Sequence, residues 1–468
     1  MTQQMHPSSL ASTNTAACLE AGLGAGPAPA GALYWLLFAL PGAVLIMDLA
    51  LTGSGQWSAA LGFSVRRLVL LLLAGYALAL WVGTSLRVPH GLVGVLGIGL
   101  FLLIWSVQIP LLYEVPLASS LDDSQLFLGL LFAPALAQAV VRSGCWPRAL
   151  RLIEYSVWTL ALLHITLFAA ENILPGGSAD LVLALRTVLE PNRSAEETNF
   201  LVGPLVEGFR VFWGSSIFLL LGLYLGVRNF SGRPLWLSLA ILLGVGFAIH
   251  LTLTRAMVLS IPLFLLMAWF FNWLLGWLRL STGLYLLIGL GLLALTVPTM
   301  LLADPSLLAA VGLGRELSDE IRYEQVVALS DGIMAAPWFG NGMGAHVSLV
   351  RAEASPWMYE LSMLAFFMKI GLIGVVWLLA TFVVLARAET ADLHHQPLPA
   401  DVRGALARIA ALLFCIFFCG NTNPYLFSML GWGLLVFSYI EFCVTIDHWH
   451  RLRVPPDSAG GEKLQPPA

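Results

Sequence analysis

Long apolar runs separated by shorter polar segments dominate this chain. The runs are about twenty residues long, the length that an α-helix needs to cross the roughly 30 Å hydrocarbon core of a bilayer. They lie at approximately residues 31–51, 68–86, 91–113, 125–141, 152–172, 211–227, 235–253, 256–278, 282–302, 357–385, 406–419 and 425–446. Strands of a membrane β-barrel would instead alternate polar and apolar residues over about ten positions. The pattern therefore predicts an all-α, polytopic integral membrane protein with about twelve transmembrane helices.

The overall composition excludes a water-soluble globular protein. Hydrophobic residues occupy 59% of the 468 positions and charged residues only 11%, whereas soluble domains carry about 25% charged residues. Mean hydropathy is +0.85. The formal net charge of −4 gives no electrostatic reason to expect a nucleic-acid partner. The five cysteines lack zinc or disulfide spacing, and no cofactor motif is present, so we expect neither a metal nor a cofactor.

Basic residues near the span ends predict the orientation, because Lys and Arg tend to stay on the cytoplasmic side. With the N-terminus inside, the inner loops collect Arg87, Arg142, Arg148, Arg151, Arg228, Arg233, Arg279, Arg387, Arg403, Arg408, Arg451, Arg453 and Lys463. Two long loops, residues 174–207 and 303–356, then face outward. We expect a flexible cytoplasmic head at residues 1–30, one membrane domain at 31–446 and a cytoplasmic tail at 447–468.

Three arginines at predicted outer membrane boundaries depart from this orientation rule. Arg210 begins a predicted span, Arg255 lies between two abutting apolar runs, and Arg322 opens an apparent helix in the second long loop. A guanidinium near hydrocarbon is costly unless it is paired, so such residues often mark substrate or ion paths. The alternative is that all three are interfacial anchors paired with headgroup phosphates or nearby carboxylates.

The second long loop has a recognisable internal pattern. Ser318 followed by two acidic residues predicts a helix start, and apolar residues then recur at helical spacing until Pro337. The residues that follow, 338–344, form a glycine-rich turn, Trp-Phe-Gly-Asn-Gly-Met-Gly. Two interpretations remain open: the turn amides bind an anionic group, or the glycines permit a tight turn beside the bilayer.

Several short motifs resemble the O-antigen ligase and Wzy-type polymerase superfamily. They are Arg210, Thr254-Arg255-Ala256, Arg322, the 337–344 segment Pro-Trp-Phe-Gly-Asn-Gly-Met-Gly, Glu360-Leu361 and Gly371-Leu372-Ile373-Gly374, set in about twelve spans with a large outer loop near the C-terminal third. Members of this superfamily are metal-independent, inverting membrane glycosyltransferases of the GT-C kind. They act on undecaprenyl-diphosphate-linked glycans at the periplasmic side of the bacterial inner membrane.

The resemblance implies a location, partners and a reaction for this chain. It would be a multi-pass inner-membrane enzyme whose two long loops face the periplasm, with a lipid-linked oligosaccharide as substrate and membrane lipid around it. Other polysaccharide-assembly proteins, such as a chain-length regulator, would be further partners. The resemblance also implies that Arg210, Arg255 and Arg322 bind the diphosphate.

One departure from the family pattern distinguishes polymerase from ligase. O-antigen ligases carry His-Asn or His-Ser ahead of Gly-x-x-Gly, whereas the corresponding position here holds Glu360. This residue makes the chain more similar to polymerases that join repeat units than to ligases that transfer finished glycan to lipid A core. A lipid-oligosaccharide flippase or a solute transporter is an alternative from another class, although the main linker of two-halved carriers lies inside and the long loops here are outside.

Glycan transfer from a lipid diphosphate requires two kinds of side chain. Arginine suits the developing charge on the leaving diphosphate, because it stays charged and pairs with phosphate oxygens through two N–H groups. A carboxylate or an imidazole near the attacking hydroxyl can serve as base, and Glu360 and His346 are the candidates. Their alternatives are a carboxylate paired with Arg351 or Lys369, and a solvated loop histidine.

Overall fold

A computed structural model describes residues 29–52, 65–83, 90–173, 181–184, 201–205, 208–277, 316–349, 356–390, 398–420 and 426–451. Most of the expected head, the predicted span at 282–302 and the tail after residue 451 lie outside the described residues. The same is true of most of the first long loop and of the two ends of the second.

Helices account for most of the described residues. In chain order, α1 comprises Pro29–Tyr34, a π-helical segment Trp35–Ala39 and Leu40–Thr52, and α2 is Val65–Gly83. The next helix, α3, comprises His90–Leu103, a π-helical segment Ile104–Gln108 and Ile109–Leu112. It is followed by α4 (Leu117–Asp123), α5 (Gln125–Leu130), α6 (Ala133–Ser143) and α7 (Trp146–Ile173). After a short hairpin, a 3₁₀ segment Gly214–Phe218 leads into α8, Leu219–Arg228, and another, Phe230–Gly232, precedes α9, Leu235–Leu251. The remaining helices are α10 (Arg255–Trp277), α11 (Glu316–Ala335), α12 (Ser362–Thr390), α13 (Ala400–Gly420) and α14 (Met429–Arg451).

Eight stretches of the described helices are long and apolar enough to cross a membrane. They are Ala32–Leu51, Val93–Leu112, Gln125–Ser143, Trp146–Ile173, Arg255–Trp277, Ser362–Leu385, Ala400–Gly420 and Leu430–Arg451. Three shorter apolar helices, Arg67–Ala79, Gly214–Arg228 and Leu235–Leu251, coincide with further predicted spans. The prediction of a helical, multi-pass membrane protein is confirmed at this level.

Many large apolar side chains lie on the outer surfaces of these helices. Leu71 on α2, Leu243 on α9 and Trp269 on α10 are 66–72% exposed, while Trp105 and Phe437 are almost completely buried. Water-soluble proteins rarely expose many large apolar side chains together. A helix surface of this kind suits contact with lipid, where all backbone hydrogen bonds must be made within the segment.

A two-stranded antiparallel hairpin corrects the sequence prediction around Arg210. Strands β1 (Leu201–Leu205) and β2 (Gly208–Phe212) pair so that Gly203 faces Arg210. The helix was expected to begin at residue 211, but the regular α8 begins only at Leu219. In β2 the apolar residues alternate with glycine and arginine, which favours a strand over a helix start. Arg210 therefore lies on a strand and does not begin a span.

The predicted helix of the second long loop is confirmed with shifted bounds. The helix α11 begins at Glu316, two residues before the expected start at Ser318, and ends at Ala335, two residues before Pro337. It packs on α12. Its pattern of apolar residues thus serves to attach it to a neighbouring helix.

Ion pairs occupy the end of the helix bundle where α8 ends and α9 begins. Arg233 Nη2 lies 2.7 Å from Glu154 Oε1, and Arg228 Nε lies 3.3 Å from Glu441 Oε1. Both glutamates are almost fully buried. One pair joins α7 to the connection between α8 and α9, and the other joins α8 to α14. They account for two carboxylates that the sequence places inside predicted spans.

Candidate functional site

The first turns of α10 and α12 lie at the same end of the bundle. Ser260 Oγ on α10 is 3.2 Å from Cys419 Sγ, near the last residue of α13. Ser362 Oγ, at the first residue of α12, donates a hydrogen bond to the carbonyl of Gly420. Because Cys419 and Gly420 are adjacent, both helices begin at one end, which we call the site end. Arg255 is the first residue of α10 and therefore lies there.

Arg210 is held against the turn that precedes Arg255. Its Nε donates a 3.1 Å hydrogen bond to the carbonyl oxygen of Thr252, and its guanidinium carbon lies 4.9 Å from the ring centroid of Phe212. Leu253, in the same turn, has a φ of +48°, so the chain reverses sharply before α10 begins. The structure therefore brings two of the three candidate arginines to one turn of backbone.

Arg322 and Glu360 form an ion pair. Arg322 Nε lies 2.9 Å from Glu360 Oε2, with side-chain exposures of 18% and 17%. Arg322 is on the first part of α11, and Glu360 lies two residues before α12 at the site end. Of the partners expected for Glu360 in the non-catalytic interpretation, Lys369 is paired elsewhere and Arg351 lies outside the described residues.

A break in α12 explains part of the glycine-rich sequence. Gly371 has φ +62° and ψ −174° inside the helix. A Cβ at Gly371 would lie 2.5 Å from the backbone nitrogen of Gly340 and from the carbonyl oxygen of Trp338, so a larger residue does not fit. The break frees backbone groups of α12, and one of them, the amide of Leu372, donates to Pro337 O at 3.0 Å. The turn thus docks into the break.

The amides of the turn are already satisfied by protein acceptors. Asn341 N–H donates to Met368 O at 3.1 Å, Gly342 N–H to Lys369 O at 2.8 Å, Met343 N–H to Trp105 O at 2.8 Å, and Gly344 N–H to Asp123 Oδ2 at 2.7 Å. These hydrogen bonds attach the turn to α12, α3 and α4. They favour the interpretation of a tight turn and leave these four amides unavailable to an anionic ligand.

A second ion pair lies deeper at the site end. Lys369 Nζ lies 2.7 Å from Asp123 Oδ2 and 2.9 Å from Oδ1, with side-chain exposures of only 6% and 5%. Lys369 also donates to the carbonyl oxygen of Trp357 at 2.9 Å. Together with the amide of Gly344, this pair links α4, the glycine-rich turn, the segment before α12 and α12 itself.

A cavity of about 300 Å³ opens beside this pair. Its lining includes Asp122, Gln125, Trp357, Tyr359, Phe366 and Phe427. Tyr359 precedes Glu360 directly, so the cavity lies next to the Arg322–Glu360 pair along the chain. The volume is near the lower end of the range of about 300–1,000 Å³ that is typical of ligand pockets. The cavity therefore has the size of a small organic ligand.

His346 lies near the cavity but does not line it. It is exposed, and the neighbouring Val347 amide donates to Tyr359 Oη at 2.8 Å. Burial raises the pKa of Tyr359, so its hydroxyl stays protonated and fixes this segment through neutral hydrogen bonds. The structure thus brings His346 to the site end together with Arg210, Arg255, Arg322 and Glu360.

Within the part of the chain that the structure describes, no group of three or more His, Cys, Asp or Glu side chains is arranged to hold a metal ion. Four of the charged side chains at the site end form two cation–carboxylate pairs, Arg322–Glu360 and Lys369–Asp123.

Asp122 and Asp123 were not identified as functional residues from the sequence. They lie in a short polar stretch between two predicted spans, where carboxylates are common. One signal was available: Lys369 lies inside a predicted apolar span, and an intramembrane lysine requires a partner carboxylate. That requirement does not identify which carboxylate, because the partner is 246 residues away.

Comparisons with known proteins identify no family for this chain. No protein-family model, no curated protein and no solved structure matches it. The functional interpretation accordingly depends on the residues at the site end.

Proposed function

We propose that this protein is a Wzy-type polymerase that joins undecaprenyl-diphosphate-linked oligosaccharide repeats on the periplasmic side of a bacterial inner membrane. The observation that carries the proposal is the collection of Arg210, Arg255, Arg322 and Glu360 at one end of the helix bundle, the end that also holds a cavity of ligand size. Charged side chains at such a position are costly for a membrane protein, and function is their usual reason.

The arginines suit the donor substrate. The donor carries its glycan on a diphosphate at membrane depth, and negative charge grows on this group as the glycosidic bond breaks. Arg210 and Arg255 flank one backbone turn, so they can approach a single diphosphate from two sides. Arg322 is paired with Glu360, and this contact holds its guanidinium in a fixed position at the site end.

The proposed reaction is a direct displacement. An oxygen of an acceptor-sugar hydroxyl attacks the anomeric carbon of the growing glycan. The bond between that carbon and the diphosphate oxygen breaks, and its electron pair leaves with undecaprenyl diphosphate. Glu360 or His346 takes the hydroxyl proton and releases it to solvent. Inversion at the anomeric carbon follows from a single displacement.

A reconstitution assay tests the proposal. The purified full-length chain would be placed in liposomes with lipid-linked oligosaccharides extracted from source cells that lack the gene, as the sole substrate. Lengthening of the lipid-linked chains is the expected result. Transfer only after lipid A core is added would indicate a ligase instead. Movement of the unlengthened substrate across the bilayer would indicate a transporter.

A further inference from the structure

The cavity at the site end combines two kinds of lining. Trp357 and Phe427 contribute aromatic surface, with Phe427 supported from behind by the stacked ring of Phe366, while Asp122 and Gln125 contribute a carboxylate and an amide. A sugar ring has an apolar face of C–H groups and a rim of hydroxyls. Aromatic rings pack against such a face, and carboxylate and amide oxygens accept hydrogen bonds from such a rim.

The charge in the cavity selects against a phosphate. Asp123 and Lys369 are paired at 2.7 Å, so their charges compensate each other. The other charged residue of the lining is Asp122, which is exposed and has an amide nitrogen of Gln125 only 3.5 Å from its Oδ1. Among the residues that the structure describes, no cation pairs with Asp122, so its negative charge disfavours an anionic group and accepts hydrogen bonds from hydroxyls. The cavity is therefore chemically distinct from the arginines that suit the diphosphate.

The cavity walls are held in place before any ligand arrives. The Asp123 carboxylate accepts from the amide of Gly344, and the Lys369 ammonium donates to the carbonyl of Trp357. The buried pair thus fixes α4, which carries Asp122, relative to the segment that carries the tryptophan. A preformed site loses less conformational entropy on binding than a mobile one.

We infer that this cavity is a carbohydrate-binding subsite in which Asp122 accepts hydrogen bonds from sugar hydroxyls and the Asp123–Lys369 pair positions the walls. The inference rests on the proposed function in one respect: it identifies the bound sugar as part of the acceptor repeat. Tyr359 lines the cavity and Glu360 is the next residue in the chain, so the segment that forms part of the cavity wall also carries the carboxylate of the Arg322–Glu360 pair.

A binding experiment on the full-length protein in detergent tests the subsite directly. The probes are methyl glycosides of glucose, galactose, mannose, rhamnose and N-acetylglucosamine, observed by saturation-transfer NMR. At least one glycoside should receive saturation from the parent protein. Asp122→Asn should weaken its binding about tenfold, the loss expected for a hydrogen bond to a charged group. Gln125→Trp, which places a large ring at the cavity wall, should abolish the signal.

Asp331→Asn is the matched control, because Asp331 is an exposed carboxylate on α11 outside the cavity lining. It should bind the glycosides like the parent. Saturation transfer to none of the glycosides would overturn the inference. Equal binding by the parent, Asp122→Asn and Gln125→Trp would overturn it as well.

The reconstitution assay separates this inference from the proposed function. Glycoside binding that depends on Asp122 in a protein that does not lengthen lipid-linked chains would support the subsite and contradict the polymerase. Chain lengthening that is unchanged in Asp122→Asn and Gln125→Trp would support the polymerase and contradict the acceptor subsite. We expect both activities in the parent, and at least tenfold slower lengthening in Asp122→Asn.

Discussion

Lys369 and Asp123 form a buried ion pair, with Nζ 2.7 Å from Oδ2, although 246 residues separate them in the chain. The pair joins α4 to the first third of α12, just before the helix break at Gly371. Both charges lie among apolar side chains, so each depends on the other. This relationship makes the pair the best place to test how the site end is held together.

Replacing one residue of the Lys369–Asp123 pair should destabilise the protein far more than replacing both. Lys369→Met leaves the Asp123 carboxylate buried without its cation and should destabilise the protein by about 3–5 kcal/mol. The double variant Lys369→Met with Asp123→Asn should recover most of that loss. Thermal unfolding in detergent measures both.

The exposed pair between Arg451 and Asp447, at 2.8 Å, is the control for this comparison. Arg451→Met should cost less than about 1 kcal/mol, because an ion pair in contact with water contributes little. Equal losses for Lys369→Met and Arg451→Met would show that the buried pair does not support the fold.

Lysine should not substitute functionally for the arginines that we propose to bind the diphosphate. Arg255→Lys and Arg322→Lys keep the charge but lose the planar guanidinium that pairs with two phosphate oxygens, so chain lengthening should fall about tenfold to a hundredfold. Arg151→Lys, at an exposed position on α7, is the control and should behave like the parent. Near-normal lengthening by Arg255→Lys at matched expression would remove Arg255 from the diphosphate site.

Substitutions with glutamine separate the two candidate bases. Glu360→Gln removes the basicity and also weakens the ion pair with Arg322, so kcat should fall at least tenfold with a smaller change in KM. His346→Gln should stay within a few-fold of the parent, because this side chain is exposed and lies outside the cavity. Rates of lengthening on the same lipid-linked substrate measure both. The reverse ranking would assign the proton transfer to His346.

Position 371, where α12 is broken, should not tolerate any residue larger than glycine. Gly371→Ala places a Cβ 2.5 Å from backbone atoms of the glycine-rich turn in a left-handed conformation, so a destabilisation of more than about 2 kcal/mol is expected. Gly75→Ala is the control: a Cβ at Gly75 meets no atom within 4 Å, and alanine favours a helix. The midpoint of thermal unfolding should therefore be clearly lower for Gly371→Ala than for Gly75→Ala. Similar midpoints would contradict the docking of the glycine-rich turn into α12.

The orientation in the membrane is open to a simple test. A reporter that is active only in the periplasm should be active when inserted near Ser194 or Ala352 and silent at the C-terminus. The opposite result would place the site end in the cytoplasm and exclude a periplasmic polymerase. We expect this outcome because most arginines near the predicted span ends lie on the side of the membrane that holds the C-terminus.

The helices were predictable from the sequence because their stability in a membrane is largely local. Each apolar run satisfies its own backbone hydrogen bonds, so its length and composition are sufficient to identify it. The helix α11 was located to within two residues at each end for the same reason. Arg210, Arg255, Arg322 and Glu360 could also be selected from the sequence as candidates, although Arg210 was wrongly expected to begin a span. Their catalytic roles and the sidedness of the membrane remain predictions.

The contacts between these elements were decided only by the tertiary structure. Arg210 lies on a strand because its neighbours pair with β1, and Glu360 pairs with Arg322 because α11 packs on α12. The partner of Lys369 is set by the approach of α4 to α12, which no local pattern encodes. Charge pairing and close glycine contacts depend on atoms far apart in the chain, while helix formation depends on neighbours a few residues away. The sequence alone therefore determined a multi-pass helical membrane protein, and the fold decided which charges meet and where a cavity remains.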